Sequence, residues 1–253
     1  MVLISAHMGG GEAARPGSYE AYQHALSSGA EYAELDIRKT RDDVLVCYHD
    51  EHAGRGGPPV AGLSWTELCE RAGYQVPAVA DVMRLLGGNL LGHLDLKETG
   101  YEKEVIDLAL ASFGPGQFVA TTLEDVSVAA IKQAYPDVPA ALSLGRDMPG
   151  WPAHRWAAVR ASEVWPLRRI RDCGADWIAA HHRLARAGVA AACRRHGIGV
   201  MVWTVDGDRL IDQFLASRTV DVLITNRPVY AASRRAQGAG QSRLGPGELL
   251  HLE

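Results

Sequence analysis

The sequence predicts a single α/β domain folded as a TIM-type (β/α)8 barrel. Three observations carry that prediction. Apolar β-like runs alternate with helical patterns from end to end, which implies a parallel sheet with helices outside. The length, 253 residues, matches the roughly 250 that eight β/α units need. Polar residues stand directly after many of the strand-like runs, where such a barrel carries its active site.

Taken in order, Val2–Ala6 reads as the first strand and delivers His7, then Gly9-Gly10-Gly11. A helix is expected over Ser18–Ser27. Tyr32–Ile37 reads as the second strand. Side chains alternate along a strand, so Glu34 and Asp36 share one face and Leu35 points to an apolar layer on the other. Val44–Tyr48 follows after only a short polar turn, Arg41-Asp42-Asp43. It reads as a hairpin partner of the second strand, and removing it from the count leaves eight barrel strands. It delivers His49 and Asp50. Helices are expected over Ser64–Arg71, where Ser64-Trp65-Thr66-Glu67 spells a capping box, and over Val79–Leu86. Leu90–Leu96 is the third barrel strand; by parity His93, Asp95 and Lys97 share one face. The rest alternates: helix Glu102–Ser112, strand Phe118–Ala120 ending at Thr121-Thr122, and helix Leu123–Ala134 with a cap expected at Thr122. Strand Ala140–Leu144 and helix Arg155–Asp172 follow. Then come strand Trp177–Ala179 with His181-His182, and helix Ala187–His196. Strand Gly199–Thr204 contains Trp203. Helix Asp208–Ala216, strand Val222–Thr225 and helix Pro228–Arg235 complete the pattern. The barrel is expected to span 1–235, with 236–253 as a flexible tail.

Composition narrows the function classes. Net charge is −4 with acids and bases interspersed, which gives no reason to expect nucleic acid or an anionic membrane as partner. No apolar run approaches a membrane span, and the N-terminus lacks the charged segment of a signal peptide. Cys47, Cys69, Cys173 and Cys193 form no CxxC pair or zinc spacing, so they read as reduced thiols of a cytoplasmic protein. No feature of the sequence speaks to oligomeric state.

The chemistry concentrates in Glu34-Leu35-Asp36 and His49-Asp50. Two carboxylates side by side repel each other unless a cation lies between them. A nearby histidine titrates near neutrality. Together these read as a metal-assisted acid–base site; the alternative is an ordinary strand end and turn. Asp95 and Lys97 read as part of the same site or as a structural ion pair. Arg38 shares parity with Glu34 and Asp36, so it is expected either to contact a phosphate or to pair with a carboxylate in an inner polar layer. Gly9–Gly11 could present backbone N–H groups to a phosphate or merely punctuate the chain. Trp203 is expected to wall the pocket or to fill the barrel core. Of His181 and His182, only one can face the mouth. His24, His154 and His196 read as surface or packing residues.

In sequence order, His7-Met8-Gly9, Glu34-Leu35-Asp36, His49-Asp50-Glu51, Asp95-Leu96-Lys97, Val202-Trp203-Thr204-Val205 and Thr225-Asn226-Arg227-Pro228 resemble the motifs of the glycerophosphodiester phosphodiesterases. The resemblance spans residues 2 to 230. It implies a barrel that cleaves glycerophosphodiesters to an alcohol and glycerol 3-phosphate with a divalent metal. It implies Glu34, Asp36 and Asp95 as metal ligands, His7 and His49 as general acid and base, and Lys97 as a phosphate contact. It also favours His181 as the pocket histidine. Oxygen ligands independently suit one hard cation, Mg²⁺ or Ca²⁺, with Mn²⁺ also admissible, and not zinc.

The departures bear on substrate. The family's first motif is His-Arg-Gly, and Met8 stands for the arginine. Its Pro-Glu-Asn-Thr segment falls on Arg15-Pro16-Gly17-Ser18, and its third metal carboxylate, a Glu, is the shorter Asp95. Arginine grips phosphate with a planar fork of donors and a thioether donates nothing. Met8 therefore lines the substrate pocket with an apolar wall. The expectation is a phosphodiester hydrolase acting on a small molecule bulkier than a simple glycerophosphodiester. The alternatives are a lyase releasing a cyclic phosphate, a biosynthetic enzyme acting on another phosphorylated intermediate, and a non-catalytic ligand-binding barrel.

Overall fold

A computed structural model of the chain describes residues 1–146 and 152–241. It begins with β1 (Leu3–Ala6), a 3-10 turn (His7–Gly9), α1 (Tyr19–Ala25), β2 (Tyr32–Lys39) and β3 (Leu45–Cys47). A second 3-10 turn (Val60–Gly62) leads to α2 (Trp65–Ala72), α3 (Val79–Leu86), β4 (Leu91–Leu96), α4 (Glu102–Ser112), β5 (Phe118–Thr122), α5 (Asp125–Ala134) and β6 (Ala140–Leu144). Next come α6 (Ala153–Val164), α7 (Leu167–Cys173), β7 (Trp177–His181), α8 (His182–Leu184), a π turn (Ala185–Val189) and α9 (Ala190–Arg195). The chain continues through β8 (Gly199–Trp203), α10 (Asp208–Leu215), β9 (Val222–Thr225) and α11 (Pro228–Gln241).

Eight parallel strands run in the order β1-β9-β8-β7-β6-β5-β4-β2, and β2 pairs back with β1 to close the barrel. The closing register positions the site. Only Tyr32 and Ala33 of β2 pair with β1, against Ser5 and Ala6. From Glu34 onward β2 outruns β1, and β3 takes part of the free edge, pairing antiparallel from Ile37↔Cys47 to Lys39↔Leu45. The hairpin expected from the short polar turn is thus present, and it stands at the mouth.

Strand parity sorts the layers. Ala33, Leu35 and Ile37 of β2, with Leu94, Leu96, Ala120, Leu142, Ile178, Ala180, Val200 and Val202, pack outward against the helices. Each fully buried Leu or Ile in this shell contributes about 1.5–3 kcal/mol. Inside the barrel lie smaller side chains, Val119, Ala141, Ala179, Met201, Val222 and Ile224. A satellite cluster of Val46, Ala53, Val60, Leu63, Leu68 and Val76 supports β3 and α2. The capping box forms: Ser64 Oγ accepts from Glu67 N, and Glu67 Oε2 accepts from Ser64 N.

Three expectations need correction. The single helix over Arg155–Asp172 is two, broken at Trp165-Pro166. Proline lacks an N–H and clashes with the preceding turn, so it begins a new helix instead of continuing the old one. Thr122 does not cap α5; its Oγ1 accepts from the backbone N of Glu124, which is itself the N-cap residue. The domain boundary expected at residue 235 falls inside α11, which continues to Gln241. The remainder of the expected tail, 242–253, lies outside the described residues.

Candidate active site

β2 and β4 pair in register, Glu34↔His93 and Asp36↔Asp95. That register, with the parity of both strands, brings Glu34, Asp36 and Asp95 together at the mouth. One oxygen from each lies within 4.8 Å of the others, a grouping that could hold a metal ion. Glu34 and Asp36 are buried. Burial first, and the neighbouring Asp36 carboxylate second, hold the Glu34 carboxyl well above the usual range. Burial pushes Asp36 the same way, but Lys97, His7 and His49 together outweigh it and hold Asp36 well below that range.

Lys97 reaches into this group, with Nζ 2.6 Å from Asp36 Oδ1 and 2.5 Å from Asp95 Oδ2. Burial would lower the ammonium, but Asp36, Asp95 and Glu34 raise it well above the ordinary lysine value. The contact to Asp36 is an ion pair without good hydrogen-bond alignment: both buried Asp36 oxygens lack a hydrogen-bond partner. A buried carboxylate offset by one ammonium and no well-aligned hydrogen bond is costly. The position of the Asp36 oxygens among three oxygen donors suits a hard cation.

A directed chain supports Asp95 from below. Thr121 Oγ1 donates to Asp95 Oδ1 at 2.6 Å. The Thr121 oxygen then accepts from His93 Nε2 at 3.2 Å, and His93 Nδ1 accepts from Ser5 Oγ at 3.0 Å. Burial pushes His93 down to about 4, in keeping with a neutral ring that donates from one nitrogen and accepts at the other. Glu34 is held by Met8, whose backbone N donates to Oε2 at 2.7 Å. Met8 aims that N–H from a left-handed conformation, φ 51°. Its methyl sits over Gly17, where an added Cβ would lie 3.1 Å from Met8 Cε. The apolar residue at position 8 and the missing side chain at position 17 therefore go together.

His7 and His49 approach from different elements. His7 Nδ1 lies 2.8 Å from Asn226 Oδ1, beyond the end of β9. His49 follows β3, has a 53% exposed side chain, and places Nδ1 2.8 Å from Asp50 Oδ1. Arg38, offered by its parity either to a phosphate or to a carboxylate, takes the second course. It pairs with Glu98, and its Nε and Nη2 donate to the backbone carbonyl of His49 at 3.1 and 3.0 Å. Arg38 thus holds His49 in place. The glycine turn is also engaged internally: Gly10 N donates to His7 O and Gly11 N to Asn226 O. Two of the three donors offered to a phosphate are therefore occupied. Gly9 is needed for another reason, since a Cβ there would lie 2.8 Å from the backbone of Ala21 and Tyr22.

His181 ends β7 on the interior face. Its ring meets Trp203 edge-on at 5.3 Å, and Trp203 Nε1 donates to Ala179 O. The His182 ring packs beside that of His181, with centroids 4.2 Å apart, and its Nδ1 hydrogen-bonds the carbonyl of Thr204. Sequence reasoning placed Thr121 and Asn226 at strand ends by the barrel mouth without giving either a role, and it missed Asp206 and Glu98. Thr121 and Asn226 carried a usable signal, as polar residues at strand ends. Asp206 and Glu98 carried none.

Comparison with known proteins agrees with this geometry. A family model described as "Glycerophosphoryl diester phosphodiesterase family" matches residues 7–89. The glycerophosphodiester phosphodiesterase of Caldanaerobacter subterraneus subsp. tengcongensis is 21% identical over 245 residues, covering 89% of this chain and 94% of that protein. A glycerophosphodiester phosphodiesterase from Parabacteroides distasonis superposes with a TM-score of 0.76 at 17% identity, covering 94% and 98% of the two chains. An Oleispira antarctica phosphodiesterase, solved in complex with the product sn-glycerol-3-phosphate, gives 0.72 at 15% identity, covering 92% and 96%. At those identities the structures speak for the barrel alone. The family model covers the segment bearing His7, Glu34, Asp36 and His49, and a curated relative 21% identical is matched over nearly its whole length; in both respects the chain is similar to the glycerophosphodiester phosphodiesterases.

Proposed function

We propose that this protein is a metal-dependent phosphodiester hydrolase resembling the glycerophosphodiester phosphodiesterases. The observation that carries the reading is Asp36: a buried carboxylate grouped with Glu34 and Asp95, whose carboxyl is held down first by the Lys97 ammonium 2.6 Å away and then by His7 and His49. Glu34, Asp36 and Asp95 would hold one divalent cation, Mg²⁺, Ca²⁺ or Mn²⁺. When bound, it would supply polarisation of the phosphoryl oxygens and a lowered pKa for the nucleophile.

The chain's own residues do the rest. One histidine takes the proton from the attacking hydroxyl, which belongs to water or to the substrate itself. The other gives a proton to the leaving alkoxide. Lys97, an ammonium at the rim of the cluster, is placed to turn from Asp95 to a phosphoryl oxygen. Trp203 and His181 form the opposite wall. The Oleispira protein's product supports a small phosphodiester as substrate, and Met8 over Gly17 supports a group greasier than glycerol on that side. Among the described residues no helix is long and apolar enough to cross a membrane. Four free thiols support the cytoplasm as compartment.

Calorimetry with Mg²⁺, Ca²⁺ and Mn²⁺, followed by phosphorus NMR of a panel of natural phosphodiesters, tests the reading. Phosphomonoester products support hydrolysis. A cyclic phosphate makes the protein a lyase. Binding without turnover across the panel makes it a ligand-binding barrel, with the Lys97 ammonium a structural partner of Asp36 and Asp95.

A further inference from the structure

Asp206 lies in the loop after β8 and Asn226 just after β9. The Asp206 carboxylate accepts three hydrogen bonds: Oδ1 from Thr225 Oγ1 at 3.0 Å and Asn226 N at 2.9 Å, and Oδ2 from Asn226 Nδ2 at 2.7 Å. A carboxylate only accepts, so the end of the Asn226 amide that faces it is the nitrogen. The other end, Oδ1, is an acceptor 2.8 Å from His7 Nδ1. That nitrogen must then carry the proton. A neutral imidazole carries one, so Nε2 holds a lone pair. We propose that Asp206 and Asn226 are positioning residues that lock His7 in the Nδ1–H tautomer and keep Nε2 as a proton acceptor.

Each step narrows a choice. Asp206 removes the freedom of the amide to flip, and the amide removes the freedom of the ring to exchange its proton between nitrogens. The backbone closes the arrangement, since Gly11 N donates to Asn226 O at 2.7 Å and Gly10 N to His7 O at 2.8 Å. Arg227 ties the loop from the other side through Asp206 O at 2.8 Å. A neutral amide orients the ring without placing a second full charge beside the carboxylate cluster.

The kinetic part of this inference rests on the functional reading above; the tautomer does not, and that separates the two. The experiment is ¹⁵N–¹H NMR of histidine-labelled protein, with the His7 signals assigned by their loss in His7→Gln. Unmodified protein with the ring neutral should show the Nδ1–H pattern at His7. Asn226→Ala and Asp206→Leu should each shift His7 towards the Nε2–H form or a mixture. They should lower kcat roughly 10–100-fold, the usual worth of a partner that orients a working histidine, with KM changing less than about threefold. The paired exchange Asp206→Asn with Asn226→Asp rebuilds the hydrogen bonds with the carboxylate next to the ring, and should restore the Nδ1–H form. An Nε2–H pattern in the unmodified protein overturns the proposal, whatever the variants do to folding. So does an unchanged pattern in a folded Asn226→Ala. If the tautomer is as stated but His7→Gln retains full turnover, the relay stands and the catalytic role of His7 falls.

Discussion

His7 and His49 lie close enough to the same carboxylate for both to lower Asp36, yet the chain holds them by different means. His7 sits on the barrel frame, directly after β1, and its ring is gripped by Asn226 and through it by Asp206. His49 rides on the inserted β3 hairpin. There the grip is on the main chain, through Arg38 and Glu98, while the half-exposed ring hydrogen-bonds the exposed Asp50. The frame side specifies a ring orientation. The hairpin side specifies where the backbone passes and leaves the ring at the solvent edge. A side chain held through its own atoms loses more rotamer freedom than one held through its backbone, so the two histidines should respond differently to the same injury.

The largest effect tests whether both are catalytic at all. His7→Ala and His49→Ala should each lower kcat roughly 10²–10⁴-fold, with KM changing less. Repeating both on a nitrophenyl phosphodiester splits the pair. A leaving group that is already a stable anion needs no proton, so only the variant lacking the general acid should recover. If both variants keep near-native turnover on an alkyl phosphodiester, neither histidine has the assigned role.

Removing the proposed cation should strike both sides, because both histidines act on the same carboxylate, Asp36. Chelation should abolish turnover, and Mg²⁺, Ca²⁺ or Mn²⁺ should restore it. Thr121→Val removes the hydrogen bond that orients the short Asp95. It should weaken cation binding in calorimetry roughly 10–100-fold, while Thr121→Ser should bind like the unmodified protein. Equal affinity in Thr121→Val and the unmodified protein would show that Asp95 needs no such support.

Arg38→Met probes the hairpin side alone. It leaves the His49 carbonyl and Glu98 without their guanidinium, at a cost of about 2 kcal/mol in denaturant unfolding. It should lower kcat through His49 and leave the NMR signature of His7 unchanged. A shift at His7 would mean that the two sides are coupled.

Met8→Arg is the mildest change, since position 8 makes its contact to Glu34 through the backbone. In a side-by-side assay the unmodified protein should turn over glycerophosphocholine and glycerophosphoethanolamine poorly and bulkier phosphodiesters better. Met8→Arg should raise activity on the small substrates about tenfold, the worth of one charge-assisted hydrogen bond. High turnover of glycerophosphocholine with no gain from Met8→Arg would remove position 8 from the account of specificity.

Periodicity and parity account for what is legible along the chain alone. Strand–helix alternation determined the barrel. The two-residue period set Glu34, Asp36 and Arg38 on one face of β2, and His93, Asp95 and Lys97 on one face of β4. The three-residue polar turn before Val44 determined the hairpin. These are local properties, carried by neighbours a few residues apart.

Whatever depends on how distant segments meet was set by the folded arrangement. Parity said that Arg38 faces the mouth but could not say that Glu98, 60 residues on, would take it. It could not choose phosphate over carboxylate, because the choice depends on which acceptor the next loop presents. Asn226, 219 residues after His7, comes within reach of it, and Asp206 with it, only because β9 pairs with β1 in the closed barrel. Hydrogen bonds are directional and short-ranged, so their partners are set by closure and register, and neither is written in any local stretch of the chain.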